Sequence, residues 1–150
     1  MPYHHVLTIY DGTPESVNLL DMVCRIVRPH RARLTILAVK IVPLTKPLPV
    51  HQPGADPEVD ALAAQAEKTA ERLGVRAATA VRYARALGPA VVSEARVRGV
   101  DLIALLAPDL DRIPWEEGMA HEVETVLRQA TCGVMLCRPS REEAPPTSLV

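Results

Sequence analysis

The sequence predicts an α/β fold, a doubly wound open sheet of five parallel strands, and three observations carry that prediction. Short apolar runs of strand type alternate with stretches of helical spacing, the pattern of successive βαβ units. The first run, ending at Tyr10, passes almost directly into a helix start. Asp11-Gly12 turns the chain, and Thr13, Pro14 and Glu15 supply an N-cap, a first helical residue and an acid for the positive end of the helix dipole. A later run, Asp101-Leu102-Ile103-Ala104-Leu105-Leu106-Ala107, is apolar after its first residue, as a strand covered on both faces must be.

The elements follow in order. The first strand spans His5 to Tyr10, and its helix presents Val17, Leu20, Val23, Cys24 and Val27 on one face until Pro29 ends it. Arg33 to Val42 is the second strand. Pro43, Pro47, Pro49, Pro53 and Pro57 then make a stiff surface excursion. Asp56-Pro57-Glu58 starts the second helix, whose stripe of Val59, Leu62, Ala63, Ala66, Ala70 and Leu73 stops at Gly74. Val75 to Tyr83 alternates a greasy face (Val75, Ala77, Thr79, Val81) with a partly polar one (Arg76, Ala78, Ala80, Arg82), which fits an outer strand. Gly88-Pro89 opens a third helix that Gly99 closes. After the fourth strand comes a loop, Pro108 to Gly118, then a last helix with Met119, Val123, Val126, Leu127 and Ala130 on one stripe. Val134-Met135-Leu136-Cys137 is the fifth strand. Residues 1–138 read as one domain and 139–150 as a tail expected to be mobile.

Composition narrows the function classes. A chain of 150 residues at 48% hydrophobic builds one substantial core, and with no Phe and 3% aromatics that core must be Val, Leu, Ile and Ala. With a net charge of -1 and acids and bases nearly balanced, no basic field for nucleic acid and no polybasic patch for a membrane surface is expected, so neither is an expected partner. No apolar run approaches the roughly 20 residues that cross a bilayer. Nothing at the start of the chain resembles an export signal, and Cys24, Cys132 and Cys137 are an odd number without metal-ligand spacing; a reduced, cytoplasmic protein is expected.

Several pieces stand in a telling order. They are Asp11-Gly12-Thr13-Pro14-Glu15-Ser16 after the first strand, Ala32 to Val39 in the second, and Gly88-Pro89-Ala90 at the third helix. Gly99-Val100-Asp101-Leu102-Ile103 enters the fourth strand, and Val126 to Val134 joins the last helix to the last strand. In that order and spacing the chain resembles a universal stress protein domain from Val6 to Arg138. The resemblance implies a Rossmann-like, adenine nucleotide alpha hydrolase-like three-layer sandwich with strand order 3-2-1-4-5, commonly as a homodimer. It also implies that Asp11 matches an acid contacting the ribose or base region of a nucleotide, and Val39 a residue whose backbone meets adenine. Each position has a plainer reading too: an Asp-Gly turn satisfying nearby N–H groups, and a buried strand residue.

ATP-binding members of the family carry Gly-x-x-Gly, a nine-residue spacer, and Gly-Ser or Gly-Thr after the fourth strand; the glycines let N–H groups approach phosphates. Here the first glycine position falls on Leu106 or Ala107, the loop reads Pro108-Asp109-Leu110-Asp111-Arg112-Ile113-Pro114-Trp115-Glu116-Glu117-Gly118, and the final pair falls on Ala120-His121. Two prolines remove donors, and four carboxylates face Arg112 alone. A like charge within a few Å of a phosphate costs on the order of 1 kcal/mol or more. Tight ATP binding is therefore not expected.

No catalytic constellation and no metal site is expected: adjacent His4 and His5 point to opposite faces and read as a surface pair, and neither Cys132 nor Cys137 has a neighbouring base. Trp115 reads as packing, with stacking on a ligand or covering the crevice as its functional alternatives, and His121 as an exposed helix histidine, with contact to an anionic ligand as its alternative. The last strand, Val134, Met135, Leu136 and Cys137, is apolar on both faces yet falls at a sheet edge in the implied order, so it is expected to pair with a second copy across a two-fold axis, where two Cys137 could approach. The expected function is a regulatory, stress-related one exerted by binding and homodimerisation, with no dedicated cofactor. The alternatives are a nucleotide-binding or slowly ATP-hydrolysing protein with a divergent loop, and a module that docks on an enzyme or transporter.

Overall fold

In a computed structural model that describes residues 3–108 and 118–140, strand and helix alternate from the first element to the last. Strand β1 is His5–Ile9, helix α1 Pro14–Val27, strand β2 Arg33–Ile41, helix α2 Pro57–Arg72 and strand β3 Ala77–Ala84. Helix α3 follows at Leu87–Arg98, strand β4 at Leu102–Leu106, helix α4 at Met119–Gln129 and strand β5 at Gly133–Cys137. All strand pairs are parallel and the order is β3-β2-β1-β4-β5, the order the resemblance implies. The direction of winding reverses between β1 and β4, and such a reversal opens a crevice at the carboxyl ends of the strands.

Side-chain alternation along the strands builds two cores. On one face Val6, Leu34, Ile36, Leu102, Ala104 and Cys137 pack beneath α1 and α2, joined by Leu20, Val23, Ala66 and Ala70. On the other, Leu7, Leu37, Ile103 and Leu105 meet Val91, Val92, Ala95, Val123 and Val126 of α3 and α4. Among the described residues Tyr10 is the largest fully buried side chain, and small aliphatics and alanines otherwise fill both layers.

Two expectations need correction. Strand β3 begins at Ala77 rather than Val75, because Val75 belongs to the end of α2: Gly74 turns the chain at φ +78°, and the Val75 N–H reaches back to the Ala70 carbonyl at 2.9 Å. His4 and His5 are not a surface pair. His4 is exposed, but His5 is 6% exposed with Nε2 2.7 Å from the Thr35 hydroxyl. Burial and the Arg33 charge lower its pKa, against the raising effect of a hydrogen bond at the Arg98 backbone. The pleat points Cys137 into the α1–α2 core at 3% exposure, and burial pushes its thiol pKa up.

Candidate functional site

The crevice end of the sheet is built by helix starts. Thr13 is the N-cap of α1 and its hydroxyl oxygen accepts from the Ser16 N–H at 3.2 Å, with Pro14 at the first helical position as the sequence predicts. Asp11 closes the turn from the other side. One carboxylate oxygen accepts from the Thr13 N–H at 2.9 Å and from the Thr13 hydroxyl at 2.6 Å, while the Asp11 N–H donates to the Ser16 hydroxyl at 3.3 Å. Burial raises the Asp11 pKa, but the Thr13 and Ser16 hydrogen bonds outweigh it and hold the carboxyl below its ordinary value. Gly12 adopts φ +82° and leans on α2; a Cβ there would stand 2.8 Å from Leu62. The plainer reading of Asp11 as a turn residue is thus realised, and its carboxylate stays at the surface with one oxygen free of these bonds.

Val39 lies near the carboxyl end of β2, half-buried against the α3–α4 core. β1 and β2 pair with Ile9 opposite Leu37, and continuing that register puts Asp11 level with Val39. The two candidate residues therefore share one end of the sheet. So does Ala107 beside them, since β4 pairs with β1 in the same way. The Ala107 N–H is already bonded to the Cys137 carbonyl at 2.8 Å, and Pro108 has no N–H to offer. The expectations for Arg112, Trp115 and the loop carboxylates fall within 109–117, outside the described residues. Ala120 and His121, at the position of the family's final pair, lie in the first turn of α4, where His121 is exposed.

Sequence reasoning missed two groups at this end. Glu122 of α4 reaches across to α3 and its carboxylate accepts the Gly88 N–H. The signal was a missing one: Ala86 sits at the N-cap of α3 and gives no side-chain cap, so an acceptor had to come from elsewhere. The close fit also explains Gly88, whose added Cβ would meet the Glu122 carbonyl and carboxylate at 2.9 Å. The second group pins the proline-rich excursion. Asp56, the N-cap of α2, accepts from Lys40 at 2.9 Å and from the Tyr83 hydroxyl at 3.1 Å, and the Lys40 hydrogen bond holds its pKa low. His51 pairs with Asp60 at 2.9 Å, and Arg85 donates to the carbonyls of Val42, Pro43 and Lys46.

Of the predicted pairing residues, Leu136 is 41% exposed, Val134 and Met135 are half-buried, and Cys137 is buried. Cys24 is buried too, its thiol pushed up to about 11 by desolvation. Among the described residues no three His, Cys, Asp or Glu gather to hold a metal ion, and no helix is long and apolar enough to cross a membrane.

Solved structures share this architecture. A universal stress protein in complex with cAMP superposes with a TM-score of 0.72 at 21% identity, over 92% of this chain and 98% of that one. One from Archaeoglobus fulgidus in complex with dAMP gives 0.66 at 12% identity, over 91% and 98%. A family protein from Arabidopsis thaliana with AMP bound gives 0.63 at 13%, over 98% and 99%. No curated protein matches the chain. At these identities the structures speak for the fold alone, but the model of the Universal stress protein family matches residues 2–138. With that match over nearly the whole chain, and the predicted strand order found in the sheet, the chain belongs to the universal stress protein family.

Proposed function

We propose that this chain is a stress-response regulator that acts by binding and by pairing with a second copy of itself, and that it does not hold ATP tightly. The observation that carries the reading is at the end of β4. There the Ala107 amide is committed to β5 and Pro108 has none, where the family's phosphate loop would begin with free glycine amides. The acidic sequence that follows, with Asp109, Asp111, Glu116 and Glu117, argues the same way. Equilibrium binding of labelled ATP with magnesium tests it. Weak or absent binding is expected, and micromolar affinity would overturn it.

The dimer rests on β5. Among the described residues one edge of this strand pairs with β4 and the other has no strand beside it, while Leu136 and, on the preceding helix, Leu127 are 41% and 53% exposed. Sedimentation should give a dimer for the wild type and a monomer for Leu136→Lys; a monomeric wild type would remove this part of the reading. Leu136 is a better probe than Met135, which packs on the α1–α2 core.

A second reading keeps the nucleoside half of the family site. Asp11 and Val39 remain level at the crevice, and three structures with this fold carry cAMP, dAMP or AMP, adenine nucleotides with a single phosphate. It favours AMP or cAMP over ATP, and Asp11→Ala should weaken the binding of AMP and cAMP. Equal indifference to all three nucleotides would remove it.

A further inference from the structure

The overall charge of -1 conceals how the charges are sorted. At the amino end of the sheet, two crossings lie side by side: 28–33, which links α1 to β2, and 71–77, which links α2 to β3. They read Arg-Pro-His-Arg-Ala-Arg and Glu-Arg-Leu-Gly-Val-Arg-Ala, five arginines and one histidine against a single acid, Glu71. The segments touch. The Arg28 guanidinium lies over Gly74, its Nε 3.2 Å from where a Cβ would stand there. β2 and β3 pair with Leu34 opposite Ala77, so Arg33 and Arg76, one residue earlier on each strand, open neighbouring strands. Exposed His4 carries the surface on to β1, where its carbonyl accepts the Arg33 N–H at 2.9 Å.

Helix dipoles account for only part of this. Arg72 lies in the last turn of α2, where a cation is favoured, but Arg31, Arg33 and Arg76 lie outside the α-helices. Several arginines elsewhere find acids: Arg25 pairs with Asp21, Arg98 with Glu94 and Arg128 with Glu124. Among the described residues Arg28, Arg31, Arg33, Arg72 and Arg76 are all exposed and none makes a salt bridge, though Arg72 donates to the Thr69 hydroxyl at 3.4 Å. Half-buried Asp101, beside His4 and His5, has both carboxylate oxygens engaged by their N–H groups. Arg31 also holds φ +53°, a left-handed conformation that glycine adopts far more readily.

We propose that this arginine surface, formed by Arg28, Arg31, Arg33, Arg72 and Arg76, docks on the phosphate backbone of duplex nucleic acid without reading its sequence. Guanidinium forks match phosphate oxygens two at a time. A protein partner would need an apolar or aromatic anchor at the centre of its contact, and the two segments expose none. The two segments carry no Phe, Tyr or Trp, the large rings on which single-stranded bases stack best, which favours a duplex over a single strand.

The test is binding of a labelled random-sequence DNA or RNA duplex across a salt series. Expected is micromolar to submillimolar affinity with log Kd rising by about 4 per decade of salt, as for four or five phosphate contacts. Arg33→Ala/Arg76→Ala should lower that slope by about 2. Arg31→Gly removes a charge while suiting its backbone, so it should weaken binding several-fold with no loss of thermal stability. Arg25→Ala, which removes an arginine already paired with an acid, should change nothing. A slope near zero, a slope the variants leave unchanged, or equally salt-sensitive binding of polyglutamate would each overturn the proposal, the last by assigning the surface to an acidic protein.

Discussion

At the carboxyl end of the sheet three cations are held: Lys40 by Asp56, Arg82 by Glu94, and Arg85 by three backbone carbonyls. At the amino end Arg31, Arg33 and Arg76 have no such partners among the described residues. The difference begins with chain direction. In a parallel sheet every helix starts at the carboxyl end and presents donor amides there. Acceptors are therefore drawn in as caps: Thr13 on α1, Asp56 on α2 and, from a distance, Glu122 on α3. Helix ends present carbonyls at the amino end and favour cations, but that preference sets only a sign. The crossings add arginines beyond what it calls for. One end is thus knitted by internal polar contacts and the other keeps its charge available.

The largest effect should come from breaking the knit itself. Gly88→Val puts atoms where the Glu122 carbonyl and carboxylate and the Thr125 side chain already stand, at 2.9–3.0 Å from the first added carbon. Helices α3 and α4 must part or α3 must lose its only side-chain cap. We expect a loss of about 2–3 kcal/mol, read as a lower denaturant midpoint with an unchanged m value. A midpoint close to wild type would mean that the two helices are loosely joined and that the carboxyl end is less constrained than its partner.

What could be read in the sequence divides along the same line. The turn at Asp11, the caps at Thr13 and Asp56 and the stops at Gly74 and Gly99 are local, and local chemistry names them. The Glu122–Gly88 contact joins residues 34 apart and is invisible to any local pattern. The burial of His5 depends on Thr35, which the fold and not the spacing brings alongside. Val75 alternates correctly for a strand but is taken by the end of α2. Charge misleads most, because a sum over the chain cannot show that two crossings far apart in sequence lie together.

A smaller effect separates the two aspartates that follow or precede strands. Asp101 at the amino end fixes two backbone donors, the N–H groups of His4 and His5, at 2.8 and 2.9 Å. Asp101→Ala should cost about 1–2 kcal/mol, and Asp101→Asn, which keeps one acceptor, about half of that. Asp11→Ala at the carboxyl end opens an exposed turn that water can satisfy, and should cost under about 1 kcal/mol. Both carboxyls have lowered pKa values: burial opposes the shift in each, and hydrogen bonds from Thr13 or from His4 and His5 outweigh it. A lowered carboxyl pKa means that the unfolded chain binds more protons, so the stabilisation is present above the unfolded value near 3.8 and is lost as pH falls through the folded one. Acid unfolding curves of the two alanine variants should therefore lie closer to wild type at low pH than at neutral pH. Parallel displacement at all pH values would show that the ionised form carries no advantage.

The smallest effect should have the opposite sign. Tyr10 ends β1 just before Asp11 and is 2% exposed, and its hydroxyl is the one buried side-chain polar atom without a hydrogen-bond partner among the described residues. Burial, with the Asp11 charge adding to it, raises its pKa, so the group stays protonated and carries an unused donor. An orphaned hydroxyl is worse placed in a protein interior than in water, whereas the ring contributes its full apolar area. Tyr10→Phe keeps the ring and removes the orphan. It should leave the fold unchanged and raise stability by up to about 1 kcal/mol, measured by thermal unfolding. The amino end offers no equivalent gain, because its buried polar pair, His5 and Thr35, satisfies itself. A destabilised Tyr10→Phe would show that the hydroxyl has a bound partner in solution, and that the carboxyl end is as fully satisfied as the amino end.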